Sequence, residues 1–152
     1  MEMTENEIEK MINSDQGDEG LSKQEILDIQ QYRMILEVGF MNRHWNMINE
    51  KDIEALVQVT QKPEECDVYY HWDHNSRFHL RLMQCYGDDY ALKKLEEALR
   101  DQQPAFVRER LELWRKPAFS ERPLIHEEII DAIREGRKLL ACKLLEADIR
   151  TM

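Results

Sequence analysis

The sequence predicts an all-α protein, an antiparallel bundle of about six or seven helices, and three observations carry that prediction. Apolar residues recur at steps of three and four from Leu21 onward, and no segment alternates convincingly as a strand. Glycine and proline are scarce, five and four in 152 residues, below the usual ~7% and ~5%, which disfavours a turn-rich sandwich or barrel. Capping and breaking residues fall where helices of ordinary length should start and stop.

The elements follow in order. Residues 1–20 hold seven acids, one Lys and few large apolar side chains, so an acidic, flexible tail is expected ahead of one helical domain over residues 21–152. Ser22 with Glu25 makes a capping box, and the helix it opens should reach about Ile48. Asn49 caps a second helix, which Pro63 ends. A third should run from about Glu64 to Tyr86, where Gly87 stops it. Asp88 caps a fourth, carrying Leu92, Leu95 and Leu99, and Pro104 opens a fifth from the favoured first-turn position. Pro117 and Pro123 bracket a loop before a sixth helix over Leu124–Glu135. Gly136 then breaks the chain before a last helix, Arg137–Arg150.

Charge and composition exclude several functions. Thirty-one acids against 21 Lys and Arg leave a net charge of −10, so this surface should not itself grip nucleic acid or anionic lipid. Three cysteines without a CxxC argue against a disulfide framework or thiolate zinc site; Cys66, Cys85 and Cys142 read as small apolar residues. With no apolar run near 18 residues and no leader, a cytoplasmic protein off the membrane is expected. A phosphate loop, a nucleophile elbow and a nucleophile beside a base are all missing, so an enzyme is not expected.

The informative residues are polar groups on apolar faces. Arg33 lies in the stripe Ile26, Ile29, Leu36, Phe40; Asn75 and His79 share a face with Trp72 and Leu82; His126 precedes Ile129 and Ile130; Asp148 follows Leu144 and Leu145. Each has an ordinary structural explanation. A core histidine is usually hydrogen-bonded, Asp148 is close to a helix end, and Arg33 has Glu37 one turn away as a partner. Together they argue for convergence, because buried polar groups need one another's bonds and bundle cores are where ligand and metal sites are built. Asn75 and His79, at i and i+4, can hold one ion, and His126 with Asp148 can complete a nitrogen and oxygen set. His71 is a reserve ligand, while His74 and His44 are expected at the surface.

Three stretches resemble the FadR C-terminal (FCD) effector domain of GntR-type bacterial transcription regulators. DIQQYRMILEVGF is similar to that family's opening helix, with its Arg followed by a Leu-Glu pair. NSRFHLRLMQCYGD resembles the segment with Asp or Asn four residues before the His of a Phe-His pair. IHEEIIDAIREGRKLLACKLLEADI resembles the closing hairpin, with a His at each end. The resemblance runs from about Leu27 to the C-terminus.

Metal-binding members of that family hold the ion with one Asp or Asn and three His. The resemblance therefore implies Asn75, His79 and His126 as metal ligands, with Asp148 in place of the third His. A divalent metal such as zinc, nickel or manganese is compatible with that set. It further implies a homodimer that senses a small organic acid, with Arg33 pairing to the acid's carboxylate as the effector-binding residue. The family's winged helix-turn-helix is not found in residues 1–20, so DNA contact is expected only through a domain outside this chain. The alternatives are a stand-alone metal-binding sensor or partner protein, and a metal-dependent enzyme acting on small carboxylates.

Overall fold

A computed structural model describes residues 4–6, 20–61, 68–114 and 125–151. Six α-helices and one 3-10 turn account for the elements among them: α1 (Lys23–Arg43), the 3-10 turn (Trp45–Met47), α2 (Glu50–Thr60), α3 (Val68–Gln84), α4 (Asp89–Trp114), α5 (His126–Arg134) and α6 (Lys138–Arg150). The predicted all-α class holds. Most of the predicted tail (residues 7–19), the Pro63 stop, Cys66 and the Pro117–Pro123 loop lie outside the described residues.

Both predicted capping boxes form. Ser22 accepts from the Glu25 N–H while Glu25 reaches back to the Ser22 N–H, and Asn49 and Asp52 do the same for α2. α1 stops earlier than expected, at Arg43. The His44 N–H still bonds the Phe40 carbonyl at 2.8 Å, but its ring packs 5.4 Å from Phe40 and 6.1 Å from Tyr86. The chain then leaves the helix through the 3-10 turn to reach the extended backbone that Asn49 needs as a cap. His44 is accordingly half-buried, not on the surface.

The fourth and fifth predicted helices are one helix, α4, with Pro104 inside it. A proline there removes one hydrogen bond and crowds the carbonyl of Arg100, at about 3 kcal/mol. Arg100 and Pro104 are both exposed, so the released carbonyl lies on the solvent side. The opposite face carries Gln102, Phe106 and Val107, all at most 3% exposed, and Phe106 packs 4.7 Å from Trp72. Burial on both sides of the proline keeps the helix continuous.

α1 lies against α6 and α4, α3 against α2 and α4, and α5 against α6 and α2. Met41, Leu56, Phe78, Leu95, Val107, Ile129 and Leu145 are fully buried where these faces meet. The α5–α6 hairpin turns on Gly136, whose φ is +70°. The Arg137 N–H bonds the Ala132 carbonyl and the Gly136 N–H bonds that of Ile133, the two bonds of a Schellman stop. His126 is ten residues before Gly136 and Asp148 twelve after it, about 15 and 18 Å of helix. The hairpin therefore brings them to one level of the bundle.

Gly136 and Gly39 separate backbone need from free space. Neither would bring an added Cβ within 4 Å of another atom. Gly136→Ala should destabilise by about 1–2 kcal/mol through its left-handed backbone alone. Gly39→Ala, in the exposed interior of α1, should stabilise by about 0.5–1 kcal/mol. Thermal melts of the two variants check both signs.

Candidate metal and effector site

α3 carries Asn75 and His79 one turn apart on its inner face, both fully buried. The first residue of α5, His126, and Asp148 near the end of α6 face them, at 1% and 3% exposure. His79 Nε2 lies 2.7 Å and His126 Nε2 3.0 Å from the same atom, Asp148 Oδ2. The two imidazoles meet edge-on at 83°, and Phe78 stacks on His126 at 4.0 Å, which fixes the plane of that ring. One ligand atom from each of His79, His126 and Asp148 lies within 4.8 Å of the other two.

A second row of bonds backs the first. The other nitrogen of His79, Nδ1, is 2.5 Å from Glu37 Oε1. Glu37 Oε2 accepts from Arg33 Nε at 2.9 Å, and Arg33 Nη1 donates to Gln102 Oε1 at 3.0 Å. All three of these residues are at most 2% exposed. Among the described residues, α1, α3, α4, α5 and α6 each contribute to one buried polar chain.

The electrostatics follow from that order. Burial pushes the Glu37 carboxyl up, but the Arg33 charge and His79 outweigh it and leave it below its ordinary value. Asp148 is likewise pushed up by burial and brought well below the carboxylate range by its bonds to His126 and His79. For His79, burial acts downward, and Glu37 with Asp148 raises it overall. Both ring nitrogens of His79 face carboxylate oxygens, an arrangement that favours the protonated ring. Burial wins at His126 and lowers it, so that ring is neutral and gives its Nε2–H to Asp148.

The donor set fits a divalent ion. Two imidazole nitrogens and a carboxylate oxygen converge, a combination suited to borderline divalent metals. The Asn75 amide, one turn before His79, has neither its Oδ1 nor its Nδ2 satisfied. An unsatisfied buried polar group costs about 1–3 kcal/mol, and an ion accepting Oδ1 would remove part of that cost.

All five sequence-predicted site residues are buried. His79, His126 and Asp148 come together, with Asn75 on the adjoining turn, and Arg33 joins them through Glu37. The partner expected on structural grounds, Glu37, is the one Arg33 has. Gln102 was not singled out, although it lies at helical spacing in the buried row Leu95, Leu99, Gln102, Phe106; the expected break at Pro104 hid that row. His74, expected at the surface, is 5% exposed, its ring 6.3 Å from His126. The side chain of His71 lies outside the described residues. Cys85 and Cys142 are buried, and burial pushes the Cys85 thiol up to about 12, so it behaves as the small apolar residue expected.

The model of the FCD domain matches residues 28–151. The chain belongs to the FCD family. FCD domains are regulatory, effector-binding helical bundles, a class distinct from enzymes. No curated protein and no solved structure matches the chain. No helix among the described residues is long and apolar enough to cross a membrane.

The two depressed carboxyls in this FCD domain predict acid sensitivity. Their contribution to stability is present above their unfolded pKa values, about 4.3 for Glu37 and 3.9 for Asp148, and is lost as pH falls below them. The two histidines act in opposite senses, because His79 is raised and His126 lowered. Thermal melts of the metal-free domain from pH 6 to pH 3 should show a steep loss below about pH 4. Asp148→Asn should flatten that limb; an equal slope in both proteins would place the acid sensitivity elsewhere.

Proposed function

We propose that this chain is the effector-sensing domain of a GntR/FadR-type transcription regulator, binding a small organic acid in its core through a divalent metal. Asn75, His79, His126 and Asp148 hold the ion, which is zinc, nickel or manganese. The observation that carries this reading is the aim of two imidazole Nε2 atoms at one carboxylate oxygen, beside a buried amide with no partner. When bound, such an ion supplies a Lewis-acidic docking point for a carboxylate or hydroxyl. Arg33 receives the effector's carboxylate. Its Nη1 is held by a neutral acceptor, the Gln102 amide, and an anionic acceptor in that place makes a stronger bond.

The domain acts as a homodimer in the cytoplasm, and contact with DNA is made by a different domain. The effector shifts the dimer between two arrangements only as far as it binds one better than the other.

Elemental analysis and titration of the purified chain under non-chelating conditions should find close to one divalent metal per chain. His79→Ala or His126→Ala should abolish it, and Asp148→His should tighten it. A wild-type protein that takes up no metal would leave a purely organic pocket and remove these four residues as ligands.

Arg33→Met takes the guanidinium away from the buried Glu37 carboxylate, so the unliganded domain should lose about 3 kcal/mol or more. The same change should weaken a small carboxylic acid by about 1.5–3 kcal/mol, the usual worth of a charged hydrogen bond. Thermal shifts of both proteins across a panel of hydroxy and oxo acids measure the two effects. Equal ligand-induced shifts would take Arg33 out of the effector site.

A further inference from the structure

Metal-ligating histidines need their second nitrogen tied down, or the ring can turn and the wrong tautomer compete. His126 has no such tie: its Nδ1 is buried without a hydrogen-bond partner, and the stacked Phe78 ring orients it instead. His79 is different. Its Nδ1 faces Glu37 Oε1 at 2.5 Å while its Nε2 faces Asp148. Glu37 stands outside the group of three ligand atoms that lie within 4.8 Å of one another. Its carboxylate is on the far side of the imidazole ring from the converging donors.

We propose that Glu37 is the positioning residue of this metal site: it accepts the His79 Nδ1–H and keeps Nε2 as the atom that faces the ion. Arg33 and Gln102 complete the support. Arg33 Nε fixes Glu37 Oε2, which leaves Oε1 aimed at the ring, and Gln102 fixes the guanidinium in turn. Glu37 thus touches both halves of the site, the cation of α1 and the imidazole of α3. A carboxylate in this place also makes the imidazole a stronger donor than an amide or water would. His79 would hold an ion only through an unprotonated Nε2, and Glu37 is placed to keep the remaining ring proton on Nδ1.

The inference rests on the metal reading above, and the experiment separates the two. Zinc alone is titrated into wild type, into Glu37→Gln, and into the double variant Arg33→Met/Glu37→Gln. The double variant removes both buried charges together, so it should fold even where Glu37→Gln leaves Arg33 unpaired and does not. Wild type should bind one zinc, and the variants that fold should bind it roughly 10–100-fold more weakly. In zinc-loaded wild type, ring-nitrogen NMR should show His79 protonated at Nδ1 and metal-bound at Nε2. Wild-type affinity in the double variant, or zinc on Nδ1 of His79, would reduce Glu37 to an ion-pair partner of Arg33 and overturn the proposal while the site stands. A wild type that binds no zinc overturns the site itself, and the proposal with it.

Discussion

Everything in this domain has to accommodate one costly fact: two carboxylates, a guanidinium and two imidazoles sit in its core with almost no access to water. Each charge would cost several kcal/mol to bury alone. The solution is alternation. Arg33 meets Glu37, Glu37 meets His79, His79 meets Asp148, and Asp148 meets His126, every contact within 3.0 Å. Replacing such a chain with well-packed apolar residues would often be neutral or favourable for stability. Its presence in a small bundle therefore points to function more than to folding.

That chain also explains which features of the fold cannot vary freely. With Gln102 its members are distributed over five helices, so the bond lengths hold only if the helices keep their relative heights. The α5–α6 hairpin contributes most directly, because one left-handed glycine sets the level at which His126 and Asp148 meet. The apolar layers around the chain do the rest. Phe78 covers His126, while Leu145 and Ile149 flank Asp148 along α6, all fully buried. Low solvent access strengthens each bond in the chain and raises the cost of any member left unmatched.

Much of this was legible in the sequence, for a reason that is physical. A polar residue inside an apolar stripe breaks the helical pattern, so Arg33, Asn75, His79, His126 and Asp148 each stood out at 3.6-residue spacing. Glu37 was visible only as the residue one turn after Arg33, because an acid between Leu36 and Val38 looks the same whether it bonds one cation or two. Gln102 was lost to a local rule. Proline usually marks the start of a helix, and the tertiary packing of Phe106 and Val107 overrides that preference here. His74 was misplaced because the sequence shows that three consecutive turns of α3 carry His or Asn, but not how wide the buried face is. The end of α1 was misjudged for a similar reason, since the His44 ring packs against Tyr86, 42 positions away.

Formal charge ties the metal and the organic acid together. Without metal and with His79 protonated, as its two carboxylate neighbours favour, the core sets Arg33 and His79 against Glu37 and Asp148, and the four charges cancel. With those charges balanced, the core has no net charge with which to draw in an anion. In the proposed loaded state a divalent ion takes the place of the one proton on His79 Nε2, so the same core carries one positive charge in excess. A buried net charge is unfavourable, and a single carboxylate entering beside Arg33 restores neutrality. Asp148 matters to this balance. On the proposed reading, a histidine there would leave two positive charges in excess and favour a dicarboxylate, whereas the aspartate would favour an acid with one ionised group near the metal. The departure from the family's usual ligand would then bear on which effector is recognised, because in a water-poor core the charge of the ligand that fits is set by the charge left over.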